Sequence, residues 1–136
     1  MFSSLDVSTS GLVAQRTRLN AISSNIANMS TTRNEQGQPE PYQARFVTFQ
    51  TDNNISTPGG GAGVKIGSVQ HSNEPPKMKY EPGHPDADAQ GFVRYPAVDM
   101  TTQFVDALEA TRAYEANIGV IEVTKNMSDQ ALRIIA

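Results

Sequence analysis

The chain has 136 residues, a formal net charge of −3, five Phe, no Trp and no Cys. That length suits one domain, and the modest apolar share limits the middle of the chain to a small or thin core. The weak negative charge leaves no footprint for nucleic acid. No run of about 18 apolar residues is present to span a membrane, and the first ten residues lack the basic start and apolar block of a cleavable signal peptide. The absence of Cys has two readings: chance in a short cytosolic chain, or avoidance of stray disulfides in an oxidising compartment.

The first predicted element is a long helix in segment 1–30. Leu5, Leu12, Leu19 and Ile26 recur one heptad apart, and Ile22 and Met29 fill the offset row. A seam this narrow suits helix pairing better than a globular core face. Ser3 is the expected N-cap, with Asp6 near the positive end of the dipole. Ser30, Thr31 and Thr32 stop the pattern, which gives roughly 27 residues and about 40 Å of helix. The outward face is Ser, Thr, Asn and Gln with few charges, so it is expected to meet protein on several sides. The bland alternative is an ordinary amphipathic helix.

From 31 to 98 the chain changes character. Six of the eight prolines lie between Pro41 and Pro85, and Gly59, Gly60, Gly61 and Gly63 cluster. Strands are expected over Tyr42–Thr51, Gly63–Gln70, Lys77–Tyr80 and Gly91–Tyr95, forming a small antiparallel β-rich middle. Segments 52–63 and 81–91 are expected to be loops that order only against partners. The glycine cluster lacks the Lys and Ser/Thr of a phosphate loop, and no helix pattern follows it, so a flexible hairpin tip is expected.

The last element is a helix over 99–136, with Asp99 as its N-cap after the breaker Pro96. Phe104, Thr111, Ile118, Lys125 and Leu132 make one heptad row; Ala107, Tyr114, Ile121, Ser128 and Ile135 make the other. Val105, Leu108, Val120, Val123, Met127 and Ile134 widen the apolar face beyond what one partner helix covers. Glu109 with Arg112, Glu122 with Lys125, and Asp129 with Arg133 stand at supporting spacings. Gly11 and Gly119 lie inside the two helices, each as a close approach to another backbone or as a tolerated weak spot. Residues 1–29 carry Arg16 and Arg18 against Asp6, whereas 99–136 carry six acids against Arg112, Lys125 and Arg133. These opposite signs favour antiparallel pairing of the two ends, although salt screens the attraction. The expected fold class is therefore α+β, with terminal helices paired as a coiled coil.

Catalytic chemistry is hard to find. His71, Glu74, His84, Asp86 and Asp88 fit no closed metal-ligand spacing, and the His-Pro and Glu-Pro-Pro contexts are turn chemistry. A metal-dependent hydrolase using His71, Glu74, His84 and Asp88 is the remote alternative. No catalytic constellation and no cofactor are expected.

The N-terminal run Ser10-Gly11-Leu12-Val13-Ala14-Gln15-Arg16, with Arg18-Leu19-Asn20 and Ser24-Asn25-Ile26-Ala27-Asn28, resembles the opening of bacterial flagellar rod and hook axial proteins. Tyr114-Glu115-Ala116-Asn117 is similar to the closing helix of that family. Gln38-Pro39-Glu40-Pro41-Tyr42-Gln43-Ala44-Arg45 resembles the FlgC-type proximal rod branch. So do Tyr80-Glu81-Pro82-Gly83-His84-Pro85-Asp86-Ala87-Asp88, Gly91-Phe92-Val93 and Pro96-Ala97-Val98-Asp99. Ala97 stands where Asn is expected, and Gln103 where Glu is usual. The runner-up within the family is a FlgB- or FlgF-type proximal rod protein, against which the 80–99 motif argues.

The resemblance implies export through the flagellar type III apparatus without a cleaved signal. It implies polymerisation in the periplasm into the rod, with copies of itself and with FlgB-, FlgF-, FlgG- and FliE-type rod proteins. It also implies an inner layer of terminal helices around a channel and an outer β-rich layer. Neighbours would finish much of the seam, so the free chain is expected to have mobile ends.

Overall fold

A computed structural model describes residues 2–135, so Met1 and Ala136 of the expected terminal segments lie outside the described residues. Along the chain come α1 (Phe2–Ala27), β1 (Arg45–Ser56), β2 (Ala62–His71), β3 (Lys77–Tyr80), β4 (Phe92–Tyr95) and α2 (Met100–Ile135). The class is α+β: two long terminal helices pack together, with a small antiparallel β region between them in sequence.

Asp99 caps α2 as expected. Its Oδ2 accepts from the Thr102 backbone N–H (2.9 Å) and the Thr102 hydroxyl (2.8 Å), and these bonds hold its carboxyl below the usual carboxylate range. Ser3, by contrast, is not a cap, because α1 already begins at Phe2. Near a chain end a helix gains bonds by running on, and Ser in the first turn opposes this only weakly. At its other end α1 stops at Ala27, where Asn28 turns its amide back to the Ser24 carbonyl (2.9 Å).

The two helices run antiparallel. Gly11 faces Asn117, Arg18 faces Asp106 and Glu109, and Asn25 bonds Gln103. At Gly11 a Cβ would stand 3.0 Å from the Asn117 amide, so this glycine marks a close approach. Around Gly119 there is open space, and a Cβ there would meet nothing within 4 Å. Because α2 has 36 residues and α1 has 26, about nine residues of α2, roughly 14 Å, project past the start of α1.

A long hairpin of β1 and β2 lies along α1. Arg45 meets Asn25 at its base, and the Val64 N–H donates to Ser10 Oγ (3.0 Å) further on. The α1 helix is therefore packed against α2 and against this hairpin. Residues 52–56 and 62–63, expected in a loop, belong to the strands, and only 57–61 make the turn. The extension is irregular: Asp52 pairs with Gly63 and Ser56 with Ala62, so residues 53–55 bulge out of register. Bulges of this kind let polar Asn residues occupy a strand whose pairing they would otherwise weaken.

A second, separate hairpin joins β3 to β4, with Lys77 opposite Tyr95 and Tyr80 opposite Phe92. The prolines at 75 and 76, which cannot donate to a ladder, lie in the link between the two hairpins. Val93 on β4 is fully buried, and with Val98, Ala14, Ile22 and Ala110 it makes up the thin apolar core.

Asn25 connects these parts. It is 3% exposed and uses its whole hydrogen-bonding capacity. Its Nδ2 donates to the Arg45 carbonyl (2.8 Å) and to Gln103 Oε1 (3.0 Å). Its Oδ1 accepts from the Arg45 N–H (2.7 Å) and the Tyr42 hydroxyl (3.0 Å). One side chain thus joins α1, β1, α2 and the segment leading into β1. Asn25→Ala leaves part-buried polar groups on two other elements without their partner and is expected to cost roughly 1–3 kcal/mol. A urea-unfolding midpoint unchanged by Asn25→Ala would contradict this role.

Candidate assembly surface

In the paired helices the covered and uncovered rows divide differently from the sequence expectation. On α2, Ala110 is buried, while Gln103, Ala107, Tyr114, Asn117, Ile121 and Ser128 are half-buried. Phe104, 54% exposed, and Ile118, 37%, lie outside the intramolecular seam, and Leu132, 65%, lies on the stretch of α2 that projects past the start of α1. Leu108 and Ile135 are exposed as well. The reason is the distance of approach. At Gly11 a side chain would meet Asn117, and Ala14 and Ala110 are buried nearby, so this stretch of the contact is made by small and polar residues, with Tyr114 and Ile121 half-covered beside it.

A matching offset occurs on α1. Ile22 is buried, whereas Leu5, Leu12, Leu19 and Ile26 are only half-covered, as is Met29 in the turn after the helix. The row opposite α2 is instead Gly11, Arg18 and Asn25. Arg18 Nη2 reaches Asp106 Oδ1 at 3.4 Å and Glu109 Oε2 at 3.1 Å. This is the attraction that the charges of the two ends suggested, though it sits near the surface and contributes modestly. Glu109 turns to Arg18 across the seam, and among the described residues no ion pair joins it to Arg112, Glu122 to Lys125, or Asp129 to Arg133.

The segment 81–91 is tied down within the chain itself, contrary to the expectation that partners order it. The Glu81 N–H donates to the Gly91 carbonyl (2.8 Å), and Asp88 Oδ1 accepts from the N–H groups of Gln90 and Phe92, both at 2.9 Å. His84 Nδ1 accepts from the Asp86 N–H (3.1 Å), which makes it the turn residue that the His-Pro context suggested. Gly91 has a φ of 84°, and a Cβ there would lie 2.9 Å from the Tyr80 ring. Tyr80 and Phe92 meet edge to face with ring centroids 5.3 Å apart, and both remain exposed.

Asp86 fastens this loop to the chain leaving α1. Its carboxylate accepts from the Thr32 hydroxyl (2.7 Å) and pairs with Arg33 Nε (2.6 Å). The Thr32 hydroxyl first, and the Arg33 guanidinium after it, hold the Asp86 carboxyl below its usual range. Glu81 is lowered likewise by Lys79 and by the Tyr95 hydroxyl.

Of the remaining motif residues, Ala27, Pro85 and Glu115 are exposed, and Asp88 and Asn117 act through the contacts above. The hydrolase alternative does not assemble. His71 ends β2 opposite Arg45, His84 lies in the other hairpin, and among the described residues no three His, Asp or Glu side chains converge as metal ligands. Among them, too, no helix is long and apolar enough to cross a membrane.

The model of the "Flagella basal body rod protein" family matches residues 5–33, and that of "Flagellar basal body rod FlgEFG protein C-terminal" matches 89–134. These segments hold the paired helices. The flagellar basal-body rod protein FlgC of Borreliella burgdorferi is 39% identical, with 99% of this chain and 97% of that protein covered. The FlgC of Salmonella typhimurium is 42% identical over 95% and 93%, and that of Bacillus subtilis 39% over 98% and 97%. The chain belongs to the FlgC family of flagellar basal-body rod proteins. As a FlgC-type protein it is a structural subunit of the flagellar basal-body rod. Ala107, Tyr114, Ile121 and Ser128 of one expected row lie half-buried on this side, whereas Gln103, Ala110 and Gly11 were missed because they carry no apolar signal.

The sign of the Asp86 effect follows from linkage. Its folded pKa lies below the ordinary value of 3.8, so its stabilising contribution is complete above that value and is lost as pH falls through the lowered one. Amide exchange at Asp88 and Gly91 is therefore expected to accelerate on acidification below about pH 4, and Asp86→Asn is expected to show the faster exchange already at neutral pH. Equal exchange in the two proteins at neutral pH would refute the clamp.

Proposed function

We propose that this rod subunit polymerises through its terminal helices and helps form the hollow proximal shaft that transmits torque. The carrying observation is that α1 already fills the inner seam of α2, yet large apolar side chains remain uncovered on either side of it. Phe104 and Ile118 on one side and Val120 on the other are uncovered beside α1, and Met127, Leu132 and Ile134 are uncovered on the stretch of α2 that projects past it. Burying such residues contributes roughly 1.5–3 kcal/mol each when complete, enough for several incomplete contacts to sum to stable association.

Within this reading the partners are copies of the same chain and FlgB-, FlgF-, FlgG- and FliE-type rod proteins, and the site of assembly is the periplasm. Delivery is by the flagellar type III export apparatus without a cleaved signal. The two hairpins form the outer layer. The role is structural and needs neither a cofactor nor a catalytic group. Within it His84 serves in a turn and Asp86 in the clamp to Thr32.

Single charges on the uncovered flank test the proposal. Phe104 is 54% and Ile118 37% exposed, so Phe104→Asp and Ile118→Asp leave the Asn25 and Arg18 contacts of the helix pair in place and are each expected to lower folding stability by only about 1–2 kcal/mol. In an assembled rod the same carboxylates would be buried without partners, at a cost of several kcal/mol. A deletion strain complemented with either variant is expected to express the protein and fail to swim. Normal swimming by both strains would sink the proposal.

A further inference from the structure

Two features of the chain are left unused by its own fold. One is a mainly apolar groove of about 530 Å³ between the first half of α1 and the far end of the β1–β2 hairpin. Val13, Ile55, Val64 and Ile66 line it, with Asp6 and Lys65 at its polar margins. The other is the projecting end of α2, where Met127, Leu132, Ile134 and Ile135 are exposed. Ile134, at 85%, is the most exposed large apolar residue described.

We infer that the α2 end of a second copy of this chain docks in the groove. The proposal rests on the reading that the chain polymerises through its terminal helices, and it names the surface involved. A copy cannot fill its own groove, because its α2 is one continuous helix that runs past the start of α1 and away from it. The chemistry of the two surfaces matches. The groove sets one carboxylate and one ammonium beside apolar walls, and the tail offers Asp129 and Arg133, one turn apart, on either side of Leu132 in sequence. Opposite charges can then face each other while the apolar side chains are buried. The dimensions agree as well: the projecting tail is roughly 14 Å long, and residues 3–14 of α1 beside the groove rise about 16 Å. Such a contact joins two different surfaces, so every bound copy leaves a free groove and a free tail. Heterologous contacts of this kind propagate into open helical polymers instead of closing as dimers.

The chain has no Cys, so introduced thiols report the contact directly. Ile66→Cys and Leu132→Cys are co-expressed at low level, as separate chains, with the unchanged protein, which maintains the rods. Basal bodies are then isolated and oxidised. The expected result is a disulfide-linked band of two chains that requires both variants, because a disulfide forms only when the Cα atoms approach within about 7 Å. A basal-body fraction that holds both variant chains without this band overturns the inference. An equal band when Gln70→Cys, at the opposite end of β2, replaces Ile66→Cys overturns it too. So does a cross-link from Ile66→Cys to a chain of different mass, which would place another rod component in the groove. Absence of the unchanged chain from the basal-body fraction would instead overturn the reading of the protein as a polymerising rod subunit.

Discussion

The four hydrogen bonds of Asn25 are the constraint on which the remaining architecture hangs. A buried amide is costly unless both its donors and its acceptor are satisfied. Here that requires the Arg45 backbone, the Tyr42 hydroxyl and Gln103 to arrive together. Helix pairing, the start of the long hairpin and the path of the intervening segment are thereby set at one point. Apolar contact is non-directional and would tolerate a slip of one helix along the other. The small apolar core of this chain could not fix that register without such a polar anchor. Gln103 needs only to present an acceptor to Asn25, and a Glu at that position would do so as well.

From the anchor outward, α2 divides its surface between two tasks. The inner face carries residues small enough, or polar enough, to sit against α1: Ala110, Asn117 opposite Gly11, and the acids that receive Arg18. The large apolar residues are displaced to the flanks, where the folded chain does not use them. A protein that had to be stable alone would put Phe104 and Ile118 inside. Their outward position gives up apolar burial in the single subunit and keeps it for contacts that an assembly would make. That trade fits a structural subunit whose final form is a rod.

The second hairpin shows how a short, Pro-rich segment is held without a core of its own. Val93 is its one fully buried large side chain. Order comes from turn geometry at Gly91, from Asp88 gathering two backbone amides, and from Asp86 reaching Thr32 and Arg33. These contacts are specific in direction but shallow, so they fix a shape at the surface with little apolar burial behind it. Tyr80 and Phe92 are left exposed on that fixed shape.

Much of this was legible in the sequence by itself. The heptad spacing of apolar residues gave two long terminal helices, Asp99 after Pro96 marked the start of the second, and the alternation of β-branched and aromatic residues with Gly and Pro placed four strands. These are local signals, set by the period of the backbone and by capping and turn chemistry. The runs around Asn25 and from Tyr80 to Asp99 also carried the family resemblance, which the relatives upheld over nearly the whole chain. The tertiary structure alone decided which helical row faces inward. Hydrophobicity ranks Phe104 above Gln103 and Ala110, but the separation of two axes, not hydrophobicity, determines what fits between them. Long-range placement also decided that β1 and β2 extend beside α1 through 52–56 and 62–63, because contacts with a helix more than forty residues away offset the weak strand propensity of Asp52, Asn53 and Asn54.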